Sequence, residues 1–150
     1  MSAASHQLHD QIAATLAQWE ADEARARVRL APPGVARPEQ VVDLSGMALF
    51  EALAAGALPS VPIGASMDFV PVEFEFGRMV FQGRPSAKFL NPQGSIHGGW
   101  IATLLDSAVA CAVHTTLPAG KGYTTAELKI SYVRALTLSV PLGRAEGRII

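Results

Sequence analysis

The sequence predicts an α+β protein in which an antiparallel sheet wraps one long central helix, with a helical segment ahead of it. Three stretches carry that prediction. Residues 91–114, NPQGSIHGGWIATLLDSAVACAVH, read as a glycine-marked loop running straight into a helix that is apolar on nearly every side. A helix of that kind must be buried. In residues 69–76 the period is two, with Val70, Val72, Phe74 and Phe76 alternating against Phe69, Pro71, Glu73 and Glu75. Residues 123–138 are rich in β-branched side chains and alternate again. Strands, one buried helix, then more strands is an order in which the sheet encloses the helix and is not sandwiched by several.

Taken in order, residues 5–30 place Leu8, Ile12, Leu16 and Trp19 at helical spacing between polar residues, the pattern of an amphipathic helix. His6 and His9 stand three apart on it, but no carboxylate or cysteine pattern completes a metal site there. No metal is expected. Ala31-Pro32-Pro33-Gly34 ends that helix. Ser45 caps a second one over residues 46–55, which Gly56 closes. Pro59, Pro62 and Gly64 mark a loop. Gly77-Arg78 turns the first strand into a second over residues 79–91, bent at Gly83 and Pro85. The central helix ends near Pro118 and Gly120, the long strand 123–138 follows, and beyond Pro141 another extended run begins, inside which the sequence stops. Residues 1–64 therefore read as a helical extension and loop, and residues 65–150 as the main domain.

Composition narrows the function. The 150 residues are 49% hydrophobic, enough for one domain with a sizeable core and apolar enough to favour association. The net charge of -1, with Lys and Arg scattered, gives no footprint for nucleic acid. The longest apolar stretch, residues 100–113, is shorter than the roughly 20 residues that cross a bilayer and contains an acid, so no membrane span is expected. The single cysteine, Cys111, has no internal partner, and the amino terminus lacks a charged region followed by a long apolar run. A reducing cytoplasmic setting is the default. Asp106 is the anomaly of the central helix, because an acid among apolar neighbours must be paired, hydrogen-bonded or used in chemistry. Cys111 and His114 share one helical face, but nothing in the apolar run around Cys111 lowers its pKa toward a nucleophile's.

The combination of Asn91, Gly94, His97-Gly98-Gly99 and Asp106 with the run YTTAELKISY, residues 123–132, resembles the phenylacetic-acid-degradation branch of the hotdog thioesterases. The resemblance covers residues 69–150, and Ser45-Gly46 with Gly56 and Pro62 is similar to a helical extension found in some members. It implies a hotdog fold and hydrolysis of an aromatic or medium-chain acyl-coenzyme A to free acid and coenzyme A, with no cofactor beyond the coenzyme A of the substrate. The family's sheet continues for about two further strands, so the sheet is expected to stop short of its last strands here.

That chemistry assigns roles. A carboxylate can take a proton from water or attack the acyl carbon, and Asp106 is the acid of the stretch. The oxyanion needs preorganised donors, and the backbone N–H of Gly98 in the first helical turn lies along a favourable dipole. With no side chain, Gly98 and its neighbour Gly99 let a thioester carbonyl approach closely. Asn91 can polarise that carbonyl or hold the acyl group. Thr125 matches the hydroxyl that orients the water in the family, with Thr124 as the alternative, since strand alternation lets only one face the site. A thiolate leaves without a strong general acid, so His97 either assists departure or shapes the loop. Arg84, Lys88, Lys129 and Arg134 are candidates for the coenzyme phosphates by charge, Arg134 foremost.

Gly98 and Asp106 are eight residues apart, about 12 Å along a helix. One helix cannot bring both to one carbon, so Asp106 must come from a second subunit whose helix packs alongside. A two-fold dimer, or a dimer of dimers, with the site at the interface is expected. Two other functions stand beside this one: a non-catalytic binder of acyl-CoA or another small ligand on the same fold, and a hydratase, which the mid-helix carboxylate and the absence of an Asp/His pair disfavour.

Overall fold

The computed structural model describes the backbone of residues 3–150. Helix α1 runs from Ala3 to Arg29, 27 residues, about 40 Å of helix. Arg27 and Arg29 in its last turn face the negative end of its dipole. Strand β1 (Ala31–Pro33) then pairs in parallel with β2 (Pro59–Ser60), which ties the two ends of the intervening helices together. Those are α2 (Pro38–Val41) and α3 (Gly46–Ala54). Ser45 caps α3 as its position predicts, its hydroxyl accepting from the Ala48 N–H at 3.3 Å. Gly56 ends it at φ 71.

The stretch expected as a loop after Pro59 is instead the short helix α4 (Pro62–Met67). Pro62 opens it, with its ring preset for the first turn, and Asp68 stops it in the left-handed region at φ 55. Strands β3 (Phe69–Glu75), β4 (Arg78–Gly83) and β5 (Gly143–Arg148) make one antiparallel sheet in the order β3-β4-β5. Strand β4 stops at Gly83 and does not run on to residue 91. A Cβ at Gly83 would sit 2.8 Å from the Trp100 indole and 3.0 Å from Phe69, so the core closes over that point. The chain then makes a single 3-10 turn at Ala87–Phe89 before the central loop.

Helix α5 (Gly98–His114) lies on the inner face of this sheet. Trp100, Leu104, Ala108 and Ala112, at intervals of four, are its buried stripe, packed on Met79, Phe81, Phe69 and Ala145. Each large side chain buried there contributes about 1.5–3 kcal/mol. The contact is close enough that a Cβ at Gly147 would fall 2.2 Å from the Ala108 carbonyl oxygen. Only this stripe is covered, however. Val109 and Val113 stay 39% and 42% exposed, so the all-round apolar helix is half-covered within one chain.

Two further expectations change. The sheet is sandwiched, because α1 lies on its outer face. Gln82 donates to the Trp19 carbonyl of α1 at 2.8 Å, the Arg144 guanidinium sits 5.2 Å over the Trp19 ring, and every residue of β4 after Arg78 is buried. Residues 123–138 form no strand. Both edges of β4 are taken, by β3 and β5, and the segment pairs with neither of the outer edges, so its backbone joins no ladder. It runs instead along α5 as a strap, mostly exposed.

Candidate functional site

The site is built around the start of α5. In the loop before it, Asn91 is the keystone: its Oδ1 accepts from the N–H groups of Gln93 and Ser95 at 3.0 and 3.1 Å, and its Nδ2 donates to the Ser95 hydroxyl at 2.8 Å. The Asn91 side chain is thus turned onto its own loop. Gly94, at φ 80, supplies the left-handed residue the turn requires. An Ile96 N–H to Leu136 carbonyl bond of 2.8 Å and a His97 N–H to Phe89 carbonyl bond of 2.8 Å fix where the helix begins.

His97 is the N-cap, its Nδ1 accepting from the Gly99 N–H at 2.9 Å. An acceptor at Nδ1 puts the proton of the neutral ring on Nε2. His97 lines a cleft of about 440 Å³ together with Gly99, Lys88 and Phe89. Gly98, the first helical residue, has no acceptor for its N–H among the described residues. Its carbonyl accepts from the Tyr132 hydroxyl at 3.0 Å, and a Cβ built on it would be 3.4 Å from the Tyr132 ring. Gly98 opens on a second cleft, of about 360 Å³, walled by Ile96, Ile101, Tyr132 and Leu136, with Arg134 exposed at its rim.

Two turns further on, Asp106 is half-buried, and its Oδ1 accepts from the Thr125 hydroxyl at 2.9 Å. Thr125, not Thr124, is the threonine that reaches the acid, although both lie on the strap outside any strand. The uninterrupted α5 keeps Gly98 and Asp106 about 12 Å apart along its axis. A single chain therefore offers an anion-ready N–H at one end and a hydroxyl-held carboxylate at the other, and does not converge them on one carbon.

The rest of the helix explains the other candidates. Burial pushes the Cys111 thiol up to about 11, with only a weak 3.9 Å contact to the Tyr123 hydroxyl opposing it and the Asp106 charge adding to the rise. Cys111 is a half-buried thiol, not a thiolate nucleophile. Burial likewise lowers the His114 pKa, and its ring packs edge-on to Phe50 and Tyr123. Arg84 is committed to Glu23 at 2.9 Å, Lys88 lies 4.8 Å over the Phe89 ring, and Lys129 pairs with its neighbour Glu127 at 3.6 Å. Arg134 is left as the cation beside the Gly98 cleft. Sequence reasoning missed Tyr132 as a site residue. The signal was present: a phenol hydroxyl seven residues beyond Thr125 on the same run.

Comparison with known proteins points the same way. Residues 93–146 match the family model of the thioesterase superfamily. A provisionally named esterase of Caenorhabditis elegans is 38% identical over 66 residues, 44% of this chain and 38% of that protein. The chain thus spans well under half the length of that relative. Among solved structures, a phenylacetic-acid-degradation-related protein of Ralstonia eutropha, provisionally named a thioesterase, superposes with a TM-score of 0.60. It is 26% identical, and the match covers 66% of this chain and 75% of that one. The stretch 93–146, with Gly98, Asp106 and Thr125 on its helix and strap, is similar in sequence to the thioesterase superfamily, and the chain is folded on the hotdog plan of one long helix against an antiparallel sheet.

Proposed function

We propose that the protein is an acyl-CoA thioesterase, acting on an aromatic or medium-chain acyl group. The observation that carries this reading is the pairing, within a thioesterase-superfamily stretch, of an acceptor-free N–H at Gly98 with a carboxylate at Asp106 that a threonine hydroxyl holds. The thioester carbonyl lies against the start of α5, where the Gly98 N–H and the helix dipole stabilise the oxyanion. Asp106 of the partner subunit activates water or attacks the acyl carbon itself, with Thr125 fixing the carboxylate. The thiolate departs without a strong acid, and the Nε2–H of His97 is available from the neighbouring cleft. The remaining amide proton of Asn91 and the rigid loop it ties place the acyl group, and Arg134 offers charge to a coenzyme phosphate.

The exposed Val109 and Val113 on α5, with the uncovered strap beside them, support a homodimer in which two α5 helices pack side by side and the sites form between subunits. Among the described residues no helix is long and apolar enough to cross a membrane, and the lone thiol suits the reducing cytoplasm. An aromatic acyl group fits both the aromatic cleft walls and the phenylacetic acid link in the name of the Ralstonia neighbour.

The test is thiol release from a panel of aryl and fatty acyl-CoAs, with solution mass measured beside it. Saturable turnover by a dimer or larger assembly is expected, and Asp106→Asn should lower kcat by about 10²- to 10⁴-fold without altering the melting transition. Tight acyl-CoA binding with no thiol release would replace the enzyme with a binding protein.

A further inference from the structure

At the edge of the sheet opposite β5, α1 and α3 meet over β3 and leave a cavity of about 170 Å³. Its walls come from α1 with the residue after it, α3 and β3, so neither α5 nor the strap has a part in it. The sequence builds this space. On α1, Asp22, Ala26 and Arg29 line it at intervals of four and three, and on α3 Phe50 and Ala54 line it four apart. Each helix thus presents an alanine where a larger side chain would fill the gap. On β3, Pro71 pairs with Phe81 and Glu73 with Val80, which leaves Val72 as the extra residue of a bulge. Pro71, Val72 and Phe74 all line the cavity, whereas strict alternation would turn Pro71 away from the other two. An adjoining cavity of about 210 Å³ shares the walls at Leu30, Leu53 and Pro71.

The charged residues of the lining are Asp22, Arg25 and Arg29. Asp22 accepts from Gln18, Arg25 and Arg144, so the acid is already shared between two guanidinium groups. Arg29 differs: it is exposed and, among the described residues, its side chain has no partner. An apolar cavity of about 150 Å³ is large enough for a benzene ring, and a free guanidinium is the planar fork that a carboxylate fits. We propose that this cavity is a binding site for a monocarboxylic acid with a ring-sized or short-chain apolar tail, the tail lying between Ala26, Ala54 and the Val72 bulge and the carboxylate on Arg29. The tail leaves water for the Phe50, Phe74 and Leu30 walls, while the acid head stays at the exposed rim, so no charge has to be buried. The assignment does not rest on the thioesterase reading, because Gly98 and Asp106 lie on α5, outside the lining.

Calorimetric titration of the full chain with 3-phenylpropanoate should saturate with a Kd on the order of 0.1–1 mM, the range expected of so small a ligand. The uncharged 3-phenylpropanamide should bind about 10-fold more weakly, and Arg29→Gln should remove that difference by weakening the acid alone. Ala54→Leu and, independently, Ala26→Leu fill the space from different walls. Each should weaken the acid by about 10-fold or more with the melting transition kept, and should one fail to fold, the other carries the test. In ¹⁵N spectra of the same titration the amides of Ala26, Ala54 and Val72 should shift. No saturation by about 10 mM, equal affinity for acid and amide, or full affinity in a folded cavity-filling variant would overturn the proposal, as would shifts confined to Gly98 and its cleft. None of these readouts is thiol release, so the binding site and the thioesterase reading stand or fall separately.

Discussion

The two faces of the sheet are held by opposite kinds of force. On the inner face, α5 packs through Trp100, Leu104, Ala108 and Ala112, and the layers approach so closely that Gly147 meets the Ala108 main chain. On the outer face, α1 is fastened by charge: Glu23, 1% exposed, takes Arg27 at 2.6 Å and Arg84 at 2.9 Å, and Arg144 bridges Asp22, Gln82 and Glu73. The candidate site sits on the inner helix but outside its dry stripe, tied by single hydroxyl contacts from an exposed strap. The difference teaches that the protein's concentrated charge serves assembly of its own layers, while its chemistry depends on a few neutral donors and one acid. Stability and activity should therefore come apart by face.

The largest separation is the loss of turnover in Asp106→Asn, with stability kept. The inner face offers the sharpest counter-test. Gly147→Ala places a methyl into the Ala108 backbone and should cost about 3 kcal/mol in urea unfolding, because neither main chain can give way cheaply. If that variant melts normally, the close packing of α5 on β5 is not what holds the layers. Next comes Glu23→Ala on the outer face, expected to cost about 1–2 kcal/mol, since the two arginines it leaves stay partly in water. It should leave kcat untouched, and a fall in kcat would show that α1 reaches the site.

The smallest effect is on acid stability. The Arg78 hydrogen bond, aided by Arg148, holds Glu146 down to about 2, and Arg78 likewise lowers Glu73. Carboxylates held low stabilise the fold above their ordinary value of 4.5 and lose that contribution as pH falls toward the folded value. Acid unfolding of Glu146→Gln should therefore be shallower than that of the parent between about pH 4.5 and 2, and equal slopes would show the exposed pair contributes nothing.

Much of this was legible in the residues. The cap at Ser45, the stop at Gly56, the turn at Gly77 and the helix after His97 are local choices, made by side chains that bond or free their own backbone. Asp106 and Thr125 were each readable as site candidates through the resemblance, but that the threonine hydroxyl bonds the acid directly, at 2.9 Å, is seen only in the structure. What misled was periodicity without a partner. The alternation of residues 123–138 has the form of a strand, but a strand exists only when paired with another edge, and this segment pairs with none. The stripe of Leu8, Ile12 and Trp19 implied apolar docking, whereas Leu8 and Ile12 stay exposed and α1 is held through the Trp19 carbonyl and Glu23.

By itself, the sequence determined the capped helix after Ser45, the hairpin turned at Gly77, the loop-to-helix start that frees the Gly98 N–H, and the acid two turns beyond it. Those depend on caps, glycines and spacing, which act within a few residues. Only the tertiary structure decided that α1 closes the outer face, that Asn91 spends its side chain on its own loop, and that Tyr132 lies on Gly98. Each of those is a contact between residues far apart or facing alternatives of similar energy, and the packing of whole layers selects among them.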